Sequence, residues 1–201
     1  MAFEIKKISK IFNGKKVLHD LSFKFSEHKI HGLCGKNGSG KTTLLKIISG
    51  IIVQNEGEIT FSSGDTCKDV AYIDNNPRAF FLRLSFLDNL FYFSALNFVR
   101  KKEVKKFIEE EFEHFNVSEF MNKPVNELSL GQIQLLNLAR AYIPKPKIIL
   151  YDEVFSSLDA NNQNALIDFI NRISEKKIAT QIICSHNPII IKKLAENTLD
   201  L

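Results

Sequence analysis

Apolar and polar positions along the chain change period several times. Ile5, Ile8 and Ile11 fall in one short run, and from Leu21 to Phe25 apolar and polar residues alternate. That period of two predicts strands near the N-terminus. Ile30 to Cys34 is a further short apolar segment, ending at a glycine. A helix is expected from Lys41 to about Ser49, with Gly50 as its C-cap. Gly57 to Phe61 and Val70 to Ile73 read as short strands. Residues 85 to 143 change to a helical period. Lys101 to Phe115 reads as one charged amphipathic helix, and Leu135, Leu138, Ala139 and Tyr142 form a buried stripe. Strand signals return at Ile148 to Tyr151, an unbroken apolar run of the kind found in buried parallel strands. Leu166, Phe169, Ile170 and Ile173 mark another helix, and Thr180 to Cys184 a last strand. The order predicts an α/β core carrying a helical insertion.

Composition narrows the classes. The chain has 201 residues, 44% hydrophobic and 25% charged, which suits a folded domain rather than disorder. A formal net charge of +4, evenly spread, makes no case for nucleic acid. The lysine-rich stretch Lys101 to Lys106 is followed by Glu109, Glu110 and Glu111, so it reads as a solvated helix face. No apolar run approaches the roughly 18 residues of a membrane span. The N-terminus carries no signal-peptide pattern. Any membrane role is therefore borrowed from a partner. Cys34, Cys67 and Cys184 lack metal-ligand spacing, and Cys34 and Cys184 are expected as small buried hydrophobes in a reducing compartment. His19, His28, His31 and His114 are read as structural.

Two motifs carry chemistry. Gly35-Lys36-Asn37-Gly38-Ser39-Gly40-Lys41-Thr42 fits G-x-x-x-x-G-K-[ST] between a strand and a helix. Glycines allow backbone N–H groups to close on phosphate oxygens, and the helix N-terminus adds its positive dipole end. Lys41 can reach the β- and γ-phosphates, and the Thr42 hydroxyl can hold Mg²⁺. Thr43, the next residue, belongs to the same nucleotide-binding set. The second motif is Ile148 to Glu153, in which an apolar strand carries Asp152 to a sheet edge. There Asp152 can hold Mg²⁺, and Glu153 is placed to orient or deprotonate a water.

The chain resembles the ATP-binding subunits of ABC transporters over nearly its whole length. Leu128-Ser129-Leu130-Gly131-Gln132 resembles the LSGGQ signature, with Leu at the third position. Ser129 is also a natural helix N-cap, and the two readings do not compete. The resemblance implies that Ser129, Gly131 and Gln132 face the γ-phosphate of ATP on an opposite subunit. Ser156-Ser157-Leu158-Asp159 resembles the D-loop. His186 resembles the switch histidine that hydrogen-bonds the γ-phosphate, and Phe12 matches the aromatic that stacks on adenine. Plain core packing is the competing reading for Phe12. Asn75 stands where the family has Gln, which implies contact with Mg²⁺ and the attacking water. It is one methylene shorter. Val154 replaces the usual Pro, and the family's closing strands are expected to be absent or minimal before Leu201.

The resemblance implies one ABC ATPase domain over 1–201: a P-loop core with a small antiparallel β-subdomain (1–75 and 147–201) and a helical signature subdomain (76–146). Two copies would sandwich two ATP molecules, with Mg²⁺, and drive a transmembrane permease subunit from the cytoplasmic face of the membrane. A soluble ABC-type ATPase in a non-transport process is the alternative. A third reading is a regulator that barely hydrolyses, which Asp152 and Glu153 oppose and Asn75 keeps open. Finally, Phe80 and Phe81 sit in what reads as a loop and are expected to line a groove for the membrane partner.

Overall fold

The computed structural model describes residues 2–61, 69–74, 76 and 79–201. They divide into two compact units. One holds Met1–Tyr72, Pro146–Glu153 and Asn171–Leu201; the other holds Ile73–Lys145 and Val154–Ile170.

The first unit has two sheets. Strands β1 (Phe3–Phe12), β2 (Lys15–Phe25) and β4 (Glu56–Phe61) form an antiparallel sheet in the order β2-β1-β4. Strands β3 (Ile30–Cys34), β5 (Val70–Ile73), β6 (Ile148–Asp152), β7 (Thr180–Cys184) and β8 (Asn197–Asp200) form the second, in the order β5-β6-β7-β3-β8. β6 and β7 are buried at every position, as the apolar run Ile148 to Tyr151 predicts for β6, and β7 buries Thr180 and Gln181 as well. One core joins the sheets. Phe3, Ile5, Ile8 and Phe25 come from the first, Leu33, Leu150 and Ile182 from the second. Helix α1 (Lys41–Ile48) adds Leu44, Leu45, Ile47 and Ile48, each essentially excluded from water. Each such side chain contributes about 1.5–3 kcal/mol. The cap residue of α1 is Ser49, and Gly50 follows it with φ of 74°. Gly50 N–H donates to Ile47 O and Ile51 N–H to Lys46 O, closing a Schellman motif.

The chain after the switch region holds more than the sequence predicts. Helix α6 (Pro188–Leu194) leads into β8, which pairs in parallel with β3. A closing strand is therefore present. Cys184 is buried as expected, whereas Cys34 is only partly covered; Cys67 lies outside the described residues.

The second unit is helical. It contains α2 (Phe86–Leu96), α3 (Lys101–Glu111), α4 (Leu130–Tyr142) and most of α5 (Ala160–Glu175). The helix expected over 101 to 115 ends at Glu111. Short 3₁₀ turns follow at Glu113–Phe115 and Val117–Glu119, on either side of Asn116, whose φ of 50° no helix continues through. The break lets Phe112 and Phe115 both turn inward. They meet the Phe169 ring at 5.5 and 6.3 Å, and Tyr142 meets it at 4.7 Å. The stripe Leu135, Leu138, Ala139 and Tyr142 is buried as its spacing predicts. The lysines of α3 face solvent, with Lys106 3.6 Å from Glu110.

Candidate functional site

β3 ends at Cys34, and the chain turns through Gly35 to Gly40 into α1. Gly40 adopts φ of 103°, and a Cβ there would lie 2.7 Å from Leu18 and 3.2 Å from Val17. Only glycine fits both demands. α1 begins with no side-chain cap and no acid in its first turn, so its amides are open to an anion. Lys41 is 7% exposed, and its ammonium donates to the carbonyls of Gly35 at 2.8 Å and Lys36 at 3.0 Å. The Oγ of Ser39 is buried with no partner. A buried hydroxyl without a bond costs about 1–3 kcal/mol, and a phosphate oxygen would satisfy it. Asn37 and Gly38 are exposed at the loop tip, and Thr43 is half-buried on the first turn.

The carboxylates arrive from two strands away. In register, Leu33 of β3 pairs with Cys184 of β7, which pairs with Asp152 of β6. The carboxyl ends of three strands therefore stand in one row, where ligands of α/β sheets bind. Asp152 is held at both oxygens. Thr42 Oγ1 donates to Oδ1 at 3.0 Å, and the Tyr72 hydroxyl donates to Oδ2 at 2.7 Å. The set of hydroxyl and carboxylate oxygens suits a hard cation such as Mg²⁺. Glu153 has φ of 56°, uncommon for a residue with a Cβ. That conformation turns its carboxylate toward His186. The His186 N–H donates to Glu153 Oε2 at 3.1 Å, and Nδ1 lies 2.7 Å from the same oxygen. The Cys184 thiol points at Oε1 from 3.9 Å. Burial, then the charges of Asp152 and Glu153, push that thiol far above its usual range, so it stays protonated.

The signature residues lie in the second unit. Ser129 caps α4, accepting from the Gln132 N–H at 3.2 Å, while Gln132 Oε1 accepts from the Ser129 N–H at 3.0 Å. This capping box occupies both polar side chains. Leu130 is 65% exposed at the same turn. Gly131 backs onto the D-loop stretch, where a Cβ would come within 3.3 Å of the Ser157 carbonyl. A cavity of about 630 Å³ opens here, lined among others by Ser129, Gly131, Gln132, Ser157 and His114.

Two predicted residues need comment. Phe12 is 44% exposed at the end of β1, with the Lys10 ammonium 5.0 Å from its ring, so it is no core residue. Asn75 lies outside the described residues. One expectation fails: Phe80 and Phe81 do not form an exposed pair. Phe80 is 7% exposed and Phe81 45%. The Phe80 ring meets Phe93 at 5.9 Å, and the Arg140 guanidinium stands 4.9 Å from Phe80 and 5.2 Å from Phe93. The cause is Asn89, fully buried, which binds both backbone groups of Phe81 and the carbonyls of Leu84 and Ser85. The loop so held turns one ring inward and leaves the next outside.

Sequence reasoning missed Tyr72 as the partner of Asp152. It also missed Asn137, whose amide donates to the Asp74 carbonyl at 2.6 Å and accepts from Arg140 at 2.6 Å. Asn137 interrupts an apolar helix, and a lone polar residue at such a position is the one signal that could have marked it.

Comparison with known proteins agrees with the geometry. Residues 18–156 match the ABC transporter family. The chain is 31% identical over 204 residues to the tungstate uptake system ATP-binding protein of Peptoclostridium acidaminophilum, covering 100% of this chain and 94% of that one. It is 32% identical over 198 residues to the zinc import ATP-binding protein of Wigglesworthia glossinidia brevipalpis, covering 98% and 81%. A solved ATP-binding subunit of an ABC transporter superposes with a TM-score of 0.90 at 21% identity, over 100% of this chain and 86% of that one, and has the same fold. Family and relatives favour transport over the soluble alternative. On the family match and these relatives, the chain belongs to the ABC transporter family, as an ATP-binding and ATP-hydrolysing subunit.

Proposed function

We propose that Mg²⁺ and ATP are held at the row formed by the ends of β3, β6 and β7. One observation carries this reading: Lys41 and Thr42, Asp152 and Glu153, and His186 all meet at that row. Gly35, Asn37, Gly38, Ser39, Gly40 and Thr43 wrap the phosphates with backbone and hydroxyl donors, and Phe12 stacks on the base. Thr42, Asp152 and Asn75 hold Mg²⁺, which when bound neutralises phosphate charge. Glu153 accepts the proton of the attacking water. His186, oriented through Nδ1, offers Nε2 to the γ-phosphate. Positioning and charge stabilisation supply the rate.

A second copy completes the site. Ser129, Gly131 and Gln132 of one copy face ATP on the phosphate loop of the other, and closure of this dimer drives a transmembrane permease at the cytoplasmic face of the membrane. The cavity at the start of α4 supports the first part. For the second, no helix among the described residues is long and apolar enough to cross a membrane, and Phe81 and Tyr92 are exposed aromatics 4.7 Å apart. The segments 1–75 with 147–201, and 76–146, act as the two working parts.

The test uses Glu153→Gln. It should retain ATP binding, lose turnover and run as a dimer on a sizing column in ATP and Mg²⁺. Unchanged hydrolysis and a monomer in ATP overturn the reading. Asn75→Gln, which restores the longer amide, should raise the basal rate if reach limits it.

A further inference from the structure

We propose that Tyr72 is a positioning residue for the carboxylate of Asp152, which sets how tightly the site takes its divalent cation. The inference rests on the reading of Asp152 as a Mg²⁺ holder.

Asp152 is 6% exposed at the end of β6. Only some orientations of a carboxylate at this strand end would present an oxygen to a cation beside the phosphate loop. Two hydroxyls narrow the choice. Thr42 donates to Oδ1 from the helix that follows the phosphate loop. Tyr72 donates to Oδ2 from β5, the strand beside β6. The two donors grip opposite oxygens and so fix the carboxylate plane.

The Tyr72 side chain suits this task. Its ring is partly buried and packs against the core that also takes Leu150 and Ile148. The ring is thereby anchored, and the hydroxyl is delivered at the end of a rigid arm. A phenol remains protonated near neutral pH and a carboxylate can only accept, so the direction of this bond is set. Lys41, whose ammonium is held by Gly35 O and Lys36 O, is engaged elsewhere. If Thr42 Oγ1 were drawn to a bound cation, the bond from Tyr72 would still hold the Asp152 carboxylate. Hydrogen-bond partners of metal ligands typically change metal affinity by about 10- to 100-fold when removed.

The experiment is a Mg²⁺ titration of binding of a non-hydrolysable ATP analogue to the full chain, compared with the same binding in EDTA. Tyr72→Phe keeps the packed ring and removes only the hydroxyl. It should raise the Mg²⁺ concentration at half-saturation by about tenfold. The melting temperature should fall modestly, as the loss of one partly buried hydrogen bond requires, while metal-free affinity should stay at the wild-type value, which a merely structural role would not single out. An unmoved Mg²⁺ midpoint overturns the inference. So does an equal loss of metal-free affinity. Asp152→Asn runs beside it: if its midpoint does not move, the reading of Asp152 falls first. If it moves while that of Tyr72→Phe does not, only the role of Tyr72 falls.

Discussion

Nδ1 of His186 lies 2.7 Å from Oε2 of Glu153, and the His186 backbone N–H donates to the same oxygen. A carboxylate only accepts, so Nδ1 is the donor in this bond, and Nε2 can donate to a phosphate oxygen only when it carries a proton as well. Glu153→Gln should lower kcat by at least about 100-fold, the usual worth of a general base, with little change in melting temperature. His186→Ala should lower kcat less, because the base remains. Steady-state ATPase assays decide. A fully active Glu153→Gln beside an inactive His186→Ala reverses the two roles.

Lys41 is the buried ammonium of the phosphate loop. Charge-assisted bonds to phosphate contribute about 1.5–3 kcal/mol, so Lys41→Ala should weaken ATP binding by roughly 10- to 100-fold. Lys41→Arg should not rescue it, since the wider guanidinium has no room at a site 7% exposed. Equilibrium titration with ATP measures both, and wild-type affinity in either variant would contradict this account.

Asn137 is 1% exposed and ties the Asp74 carbonyl to Arg140. Asn137→Ala strands both partners and should cost about 2–3 kcal/mol. Arg140→Lys keeps the charge but loses the fork and the contact with the Phe80 and Phe93 rings, at roughly 1 kcal/mol. Urea midpoints at constant m-value give both numbers. A neutral Asn137→Ala would mean that the helix readily finds other partners for these groups.

His31 is 1% exposed, edge-on to the Phe25 ring, and burial holds its imidazole below the usual pKa. The folded chain therefore binds fewer protons at this site than the unfolded chain. Its contribution is full above the unfolded value, near 6.5, and is lost as pH falls below it. Denaturant midpoints should drop from pH 8 to pH 5. His31→Gln should flatten that slope. An equally steep slope in the variant assigns the effect to other groups.

Much of this was legible because it is local. The phosphate loop, the strand ending in Asp152 and Glu153, and the capped start of α4 each lie within a few consecutive residues, where spacing alone dictates the chemistry. Tyr72 and Asp152 are separated by 80 positions, and Asn137 and Asp74 by 63. No periodicity links such pairs; only the fold does. Phe80 and Phe81 fail for a related reason. Neighbours on a loop share a composition, and a buried amide eight positions further on, Asn89, decides which ring is covered. The left-handed backbone of Glu153 carries no sequence signal either, since nothing in Glu itself prefers it.

The position of β3 between β7 and β8 has a consequence in time. β3 is synthesised early and its two partners late. Such distant pairings are slow to close. Until Thr180–Cys184 has left the ribosome, the apolar strand that anchors the phosphate loop has bare edges on both sides, a template for any other chain. Helix α1, only 8 residues long, is too short to hold by itself, so the loop before it has no frame either. A nucleotide site on this loop therefore waits for β7 and β8, and its formation reports that the central sheet has closed around β3.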